Sequence, residues 1–339
     1  MTDKFPLCQL PYVALYEVLN HVEPKATLPL SLCSNRSKRL VKDCQGPRKE
    51  IDIIFDIPEN VLTVNNAPAI TVVAVSKLPA DLETVNIGFH MVPVEMEEDI
   101  LKTYWMNEKE GLKEVINLTS DVFNRDLFSL EFRGSVSSDD ARYWLEWIPT
   151  RQDTLPRLYL SNEVDNHLLM YVLENGIVTG DLILDSECSL GFRGPSPRLY
   201  PLDWLYLEQA HRITFKYFLA IDVKRLSLLR SSLTSQEVNI FLKKWINGEG
   251  SKRIMELFVW MEEEVNYDVL MEGIEVNKRD PNLRRDYVVC PNVVERIEGG
   301  LDIKRKEDGA MATIINQHRL MFSSVTVFFW PDYNGNPYH

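Results

Sequence analysis

The amino-acid sequence predicts a mixed protein of α+β or α/β class that begins with three short helices, continues as a β–α array and has a β-rich C-terminal end. Residues 5–44 contain three short segments with apolar residues at helical spacing, separated by polar residues and prolines. Between residues 128 and 261 an alternating strand pattern, a polar cap and an amphipathic helix pattern recur. After residue 300 only strand patterns follow.

The first predicted helix starts at Pro11, because proline is tolerated at the first helical position, where its missing N–H costs nothing. Leu15, Val18, Leu19 and Val22 follow at i, i+3, i+4 and i+7, which is a single apolar stripe. The helix ends before Pro24, since the residue preceding a proline is disfavoured in the α region.

A second helix is predicted around Leu28 and Leu32, which share a face, and a third around Leu40 and Val41. Pro29 lies inside the second helix and would kink it unless it falls in the first turn. A unit of about forty residues rarely builds its own core. We therefore interpret part of this apolar surface as an interface with another protein; the alternative is a helical cap folded onto the rest of the chain.

This N-terminal stretch closely resembles an F-box, the module that docks substrate receptors onto Skp-type adaptors in SCF ubiquitin ligases. The matching positions are Pro6, Leu7, Leu10, Pro11, 17–19, Leu28, 30–34, Ser37 and Lys38. The form is similar to the nematode F-box proteins that carry a type-2 F-box-associated domain. The resemblance implies an F-box over 1–45, a linker over 46–50 and the adaptor-binding residues Pro6, Leu7, Leu10, Pro11, Leu15, Val18, Leu19, Leu28 and Leu32.

Beyond the linker, β–α units are predicted at 128–148, 158–176 and 224–261. In the last unit, Thr234 and Glu237 have the spacing of a capping box, and Val238, Phe241 and Trp245 begin the apolar face of a helix. Further upstream, Val85 to Phe89 is predicted as a strand, Ile100 to Trp105 as a helix and Val115 to Leu118 as the returning strand. The stretch from Leu202 to Tyr217 is interpreted as a further helix.

Predicted strand starts near 128, 156 and 181 lie about 25 to 28 residues apart, within the range of leucine-rich-type repeats. We therefore predict a leucine-rich-repeat-like β–α array over 51–332, with a compact α/β domain as the alternative. The run 233–248 closely resembles the core motif of the type-2 F-box-associated domain, whose family portion would extend over about 220–330.

The C-terminal end is predicted to be strands, with a hairpin turn at Asp308-Gly309 and a final strand over Val325 to Trp330. Residues 333–339 are polar and are expected to form a frayed tail.

The charge is unevenly placed along the 339 residues. Residues 1–50 have eight basic and five acidic residues, a net charge of +3, so the remainder of this −13 chain carries −16. An acidic body disfavours nucleic acid as a partner, whereas a basic N-terminal module suits an acidic adaptor. No apolar run is long enough for a membrane span, and the N-terminus does not resemble a signal peptide. Five scattered cysteines indicate a reducing compartment, cytoplasmic and/or nuclear.

Catalytic interpretations have little support in the sequence. No H-E-x-x-H, G-x-S-x-G, P-loop or G-x-G-x-x-G motif occurs. Cys188 with His211 or His318 would be a thiol pair without local support, and Asp181, Asp185 and Glu187 are more typical of solvent-facing strand positions than of a metal site. We expect no catalytic residue, cofactor or metal, and interpret Trp144, Trp147, Trp245 and Trp260 mainly as packing residues.

The resemblance implies the substrate-recognition subunit of an SCF-type ubiquitin ligase. The F-box would bind a Skp-type adaptor and, through it, a cullin, while the C-terminal domain would hold a target protein. The alternative is an interaction module that sequesters a partner without recruiting a cullin. The sequence does not identify the target, or the face of the C-terminal domain that binds it.

Overall fold

The computed structural model describes residues 10–44, 50–134, 136–161, 166–185, 202–290, 293–316 and 323–330. The chain divides into two compact units. Unit 1 comprises Met1–Ala141 and Trp147–Tyr159, and unit 2 comprises Arg142–Glu146 and Leu160–His339. Unit 1 therefore contains the three N-terminal helices together with the strands that follow them. Residues 46–49 of the predicted linker lie outside the described residues.

The helices are named in chain order. They are α1 (Tyr12–His21), α2 (Pro24–Leu32), α3 (Asn35–Cys44), α4 (Glu108–Phe123), α5 (Ser138–Trp147), α6 (Asn166–Asn175), α7 (Phe215–Phe218), α8 (Ser235–Ile246) and α9 (Tyr267–Met271). Two short 3₁₀ helices cover Ile148–Thr150 and Ala210–Arg212.

The strands are numbered in the same way. The first eight are β1 (Ile53–Asp56), β2 (Val61–Val64), β3 (Ala67–Ala74), β4 (Glu83–Ile87), β5 (His90–Glu97), β6 (Ile100–Trp105), β7 (Ser129–Phe132) and β8 (Leu155–Leu160). The others are β9 (Val178–Leu184), β10 (Trp204–Leu207), β11 (Arg225–Ser231), β12 (Glu256–Met261), β13 (Asn277–Lys278), β14 (Arg284–Cys290), β15 (Val293–Glu298), β16 (Leu301–Lys304), β17 (Met311–Asn316) and β18 (Ser324–Phe329).

Unit 1 is built on a mixed sheet with the strand order β8-β7-β1-β2-β3-β6-β5-β4. The pairs β1–β7 and β3–β6 are parallel, while β1–β2, β2–β3, β4–β5 and β5–β6 are antiparallel. Helix α2 packs against β2, β3, β4 and α4, and α3 packs against α4. The N-terminal helices therefore share a core with the sheet of this unit.

Unit 2 contains the strand order β9-β10-β11-β12-β18-β17-β16-β13. The strands β9 to β12 are mutually parallel, and β12–β18, β17–β18, β16–β17 and β13–β16 are antiparallel pairs. Strands β14 and β15 form a separate antiparallel hairpin. The large mixed sheet agrees with the predicted fold class, and the parallel run is the local pattern that the β–α units predicted. A leucine-rich-repeat-like array across the whole of 51–332 is not confirmed, since hairpin pairs dominate elsewhere.

Helix α8 begins as the sequence predicts. The Thr234 side chain accepts a hydrogen bond from the Glu237 N–H at 3.3 Å, and the Glu237 carboxylate accepts one from the Thr234 N–H at 2.8 Å. This capping box satisfies two backbone donors that a helix start leaves unpaired. The helix then places Trp245 against Phe329 of β18, with ring centroids 5.0 Å apart, so α8 covers one face of the unit 2 sheet.

Two predicted helices were wrong, because a strand occupies all or part of each. Residues Ile100–Trp105 form β6, with Leu101, Thr103 and Trp105 buried at alternate positions, and the helix starts later, at Glu108. Asn107 caps that helix by accepting a hydrogen bond from the Glu110 N–H. Val115 to Leu118, predicted as the returning strand, therefore lies inside α4. The apolar alternation of β6 was decisive, because a period of two buries one strand face.

The same error affects the stretch from Leu202 to Tyr217, which contains strand β10 rather than one continuous helix. Leu205 and Leu207 are buried, while Trp204 and Tyr206 point to the opposite face. This strand completes the parallel run from β9 to β12.

Candidate adaptor-docking helices and the F-box-associated segment

Helix α1 ends before Pro24 as predicted and begins one residue after the predicted start at Pro11. Pro11 is the N-cap, one position outside the first helical residue, and its carbonyl accepts the Leu15 N–H at 2.9 Å. Val22 is already extended at ψ 138°, immediately before the Glu23-Pro24 step. The ten residues between form a short helix, which depends on packing for its stability.

The inner side of α1 forms a small core with the end of α3. Leu15 and Leu19 are 3% and 1% exposed, and they pack with buried Cys44. The partly buried apolar residues around this cluster are Leu10, Tyr16, Leu30 and Leu40. Leu15 and Leu19 are thus covered by this chain's own residues, contrary to the expectation that so short a unit would need another molecule to cover it.

Three apolar residues of α1 are exposed, among exposed polar residues such as Glu17 and His21. Tyr12, Val13 and Val18 have 57%, 72% and 42% of their surfaces accessible. Tyr12 also lies beside Tyr16, with ring centroids 6.4 Å apart. Sequence analysis included Val18 but missed Tyr12 and Val13. The available signal was that the apolar positions of α1 extend beyond one helical stripe, so the helix has more apolar surface than a single contact face requires.

Helix α2 is covered by its own chain. Leu28 is fully buried, in a helix that packs against β2, β3 and β4. The buried hydroxyls of Thr27 and Ser31 donate to the carbonyls of Pro24 and Leu28 at 2.7 and 2.6 Å. Pro29 lies within the helix, beyond its first turn. The apolar side of this helix therefore already has an internal partner.

Helix α3 is held to α4 by charge. The carboxylate of Asp121 in α4 forms ion pairs with Lys38 Nζ at 2.8 Å and with Lys42 Nζ at 2.5 Å. Burial works against ionisation of Asp121, but the hydrogen bonds from the two lysines outweigh it and lower the pKa of this carboxyl from its ordinary value of 3.8. Two lysines of the basic N-terminal module are thus paired with Asp121 inside unit 1. Arg39 of the same module is exposed.

The structure separates the predicted adaptor-binding residues into three groups. Pro11 and Val18 are exposed, and Leu10 and Leu32 are partly buried. Leu15, Leu19 and Leu28 are buried, so direct contact with an adaptor does not fit them in this conformation, because this chain's own side chains cover them. Pro6 and Leu7 lie outside the described residues.

The F-box-associated motif at 233–248 forms α8 and its cap, and the polar residue Asn239 is fully buried in it. The Asn239 side chain donates to the carbonyls of Leu270 and Glu272 at 2.8 and 3.0 Å. Two carbonyls at the end of α9 are thereby satisfied without water. This amide fixes α9 against α8, a structural role that the motif alone did not indicate.

The catalytic alternatives gain no support from the described residues. Cys188, Glu187 and His318 lie outside them. His211 accepts a hydrogen bond from Arg212 at 3.2 Å, and Asp181 lies 3.6 Å from the guanidinium of Arg225. Among the described residues, no group of three or more His, Cys, Asp or Glu side chains is arranged to hold a metal ion.

Two segments of the chain match known protein families. A family described as F-box domain matches residues 7–49, and a family described as F-box associated, FBA_2, matches residues 200–259. The first match covers α1 to α3 and the second covers β10, β11, α8 and most of β12. The two matches fall on the segments that resemble the nematode F-box proteins with a type-2 F-box-associated domain, and they confirm that predicted resemblance.

Relatives from Caenorhabditis elegans agree with this assignment. The uncharacterized protein F59B2.8 is 21% identical over 98% of this chain and 79% of its own length. The uncharacterized F-box protein T20B12.4 is 25% identical over 35% of this chain and 28% of its own length. The E3 ubiquitin-protein ligase hecw-1 is 23% identical over 74% of this chain, which spans only 22% of that protein.

No solved structure matches the chain significantly. Where the structure describes the chain, it contains no helix with the length and hydropathy that crossing a bilayer requires.

Proposed function

We propose that this protein is the substrate-recognition subunit of an SCF-type ubiquitin ligase. Its F-box docks onto a Skp-type adaptor, which links it to a cullin, and its C-terminal part holds a target protein. The F-box and F-box-associated matches support the general substrate-adaptor role.

The observation that carries the proposal is the set of exposed apolar residues on α1. Tyr12, Val13 and Val18 remain in water although Leu15 and Leu19 of the same helix are buried. A helix that has filled its own core gains nothing in folding from further exposed apolar residues, whereas burying them against a partner is favourable by about 25 cal/mol per Å². Together with Pro11 and the partly buried Leu10, they form the docking surface that we assign to the adaptor.

Such a subunit accelerates ubiquitin transfer through position alone. Holding the target beside the ubiquitin-charged enzyme raises the effective concentration of the reacting groups, and other subunits supply the bond-making residues. The proposal therefore requires two binding surfaces in this chain and no catalytic side chain.

The experiment is co-purification with a Skp-type adaptor, comparing Val18→Asp with the matched control Val288→Asp. Both valines are exposed, so each variant is expected to keep its stability within about 0.5 kcal/mol. Val18→Asp places a charge in the docking surface and is expected to weaken adaptor binding at least about tenfold, whereas Val288→Asp leaves it unchanged. Equal adaptor binding by the two variants contradicts the proposal.

A second comparison separates docking from folding. Leu19→Ala removes a fully buried side chain and is expected to destabilise the protein by about 2 to 5 kcal/mol. Urea denaturation measures that loss, so weaker adaptor binding by this variant is traced to the fold. Probing the purified complex for cullin then distinguishes a ligase subunit from a module that only sequesters its partner.

A further inference from the structure

The parallel strands of unit 2 have two unlike faces. On one face lie buried aliphatic residues, such as Leu205, Leu226, Leu228, Leu257 and Val259. The opposite face, which we term the open face, carries residues that are mostly half-buried. They are Asp181 and Ile183 of β9, Trp204 and Tyr206 of β10, Arg225 and Ser227 of β11, and Glu256, Phe258 and Trp260 of β12.

One row of the open face is formed by residues in direct register. Trp204 pairs with both Asp181 and Arg225, and Arg225 pairs with Glu256. The guanidinium of Arg225 lies 4.5 Å from the Trp204 ring centroid and 3.6 Å from the Asp181 carboxylate. A cation is thus held between an aromatic ring and a carboxylate in this row.

A second row repeats the arrangement at the carboxyl ends of the strands. The Arg230 guanidinium lies 5.9 Å from the Trp260 ring centroid and 3.8 Å from the Glu208 carboxylate. Glu208 also accepts a hydrogen bond from the Tyr206 hydroxyl at 2.5 Å. Aromatic rings with nearby carboxylates attract guanidinium and ammonium groups, because ring quadrupole and anion act on the cation together.

The β14–β15 hairpin closes one side of this surface. Tyr287 packs on Phe328 and Trp330, with centroid distances of 4.9 and 5.3 Å, and its hydroxyl donates to the Met255 carbonyl at 2.6 Å. The hairpin therefore covers the β18 part of the face, where Phe328 is fully buried. Over β9 to β12 the aromatic residues stay half-buried, so the hairpin borders a part of the open face that remains partly accessible.

The open face is acidic, and so is its rim, the residues that follow the ends of its strands. Asp181 and Glu256 lie on the open face, and Asp185, Glu208 and Glu262 follow the ends of β9, β10 and β12. Basic residues of the same area are Arg225, Arg230 and, in the 3₁₀ helix after β10, Arg212. Among the described residues, these five carboxylates outnumber the three arginines, and this charge balance complements a basic partner.

We propose that the open face is the target-binding surface of this protein and that its occupant is a polypeptide segment rich in arginine or lysine. This inference rests on the proposed receptor function and adds the surface and the chemistry of the target. Aromatic and arginine residues are enriched where proteins bind one another, and those of the open face stand half-exposed beside excess carboxylates. Cations of the target would repeat the contacts that Arg225 and Arg230 make within the chain.

The test uses two short synthetic peptides, one alternating arginine with alanine and one with glutamate in place of every arginine. Isothermal titration with the full-length protein is expected to detect the arginine peptide and not the glutamate peptide. Equal binding of both, or no binding of either, overturns the inference. Adaptor co-purification is measured on the same protein, so intact adaptor binding with absent peptide binding refutes the surface and leaves the receptor function standing.

Matched variants separate the open face from general charge attraction. Asp185→Asn with Glu208→Gln removes two charges from its rim, and Glu272→Gln with Glu275→Gln removes two exposed charges elsewhere. The rim variant is expected to weaken arginine-peptide binding about fivefold or more, while the control changes it less than about twofold. Equal losses in both variants overturn the inference. Thermal unfolding checks that the rim variant is folded.

Discussion

At the scale of single residues, neighbouring positions of α1 differ in burial and therefore in the role that we assign to them. Leu19 is buried and the adjacent Val18 is exposed, because successive residues of a helix point about 100° apart. Both belong to the same apolar stripe in sequence, so composition and spacing assign them the same role. Only the position of Cys44 and its neighbours decides which of the two faces the core.

The carboxylate of Asp121 offers a residue-scale test of how α3 is attached to α4. Asp121→Asn is expected to cost at most about 1 kcal/mol at neutral pH, since the ion pairs with Lys38 and Lys42 are partly exposed. The pKa of Asp121 is lowered in the folded state, so its stabilisation is complete above the ordinary value of 3.8 and is lost as pH falls below it.

Urea denaturation of the wild type and the variant at pH 7 and at pH 3 measures this dependence. The difference in unfolding free energy is expected to shrink at the lower pH. Asp99→Asn, at an exposed turn, is the control and should show little effect at either pH. A difference for Asp121→Asn that grows on acidification contradicts the assignment.

At the scale of elements, caps and prolines were read correctly and isolated apolar runs were not. The capping box at Thr234 and the stop before Pro24 depend on contacts within a few residues, and both are present. Residues Ile100–Trp105 and the segment around Trp204 were assigned as helices but are strands. Short apolar runs fit either period, and the neighbouring strands that decide the matter are distant in sequence.

The contact between α8 and α9 leads to a prediction at this scale. Asn239→Ala leaves the carbonyls of Leu270 and Glu272 buried without their donor. We expect a loss of about 1 to 3 kcal/mol in the free energy of unfolding. Asn277→Ala, at an exposed position of β13, is the matched control and should change it by less than about 0.5 kcal/mol. Denaturant titration compares them, and equal stabilities would refute the anchoring role.

At the scale of the whole molecule, charge limits the partners. The chain carries a net charge of −13 and has a pI of about 5.1. We expect no binding of duplex DNA at physiological salt, because phosphates are repelled and no counterions would be released. Fluorescence anisotropy of a labelled duplex measures this, with a basic DNA-binding protein as positive control. Binding that weakens steeply with added salt would contradict the prediction.

The sequence by itself determined the two recognisable segments, the helix limits at prolines and caps, and the charge balance, because each depends on residues close together in the chain or on composition alone. The tertiary structure decided which apolar residues of α1 remain exposed, that α2 packs on the unit 1 sheet, and that Asp181, Trp204, Arg225 and Glu256 meet in one row. Those residues come from four separate strands, and only parallel pairing brings them side by side.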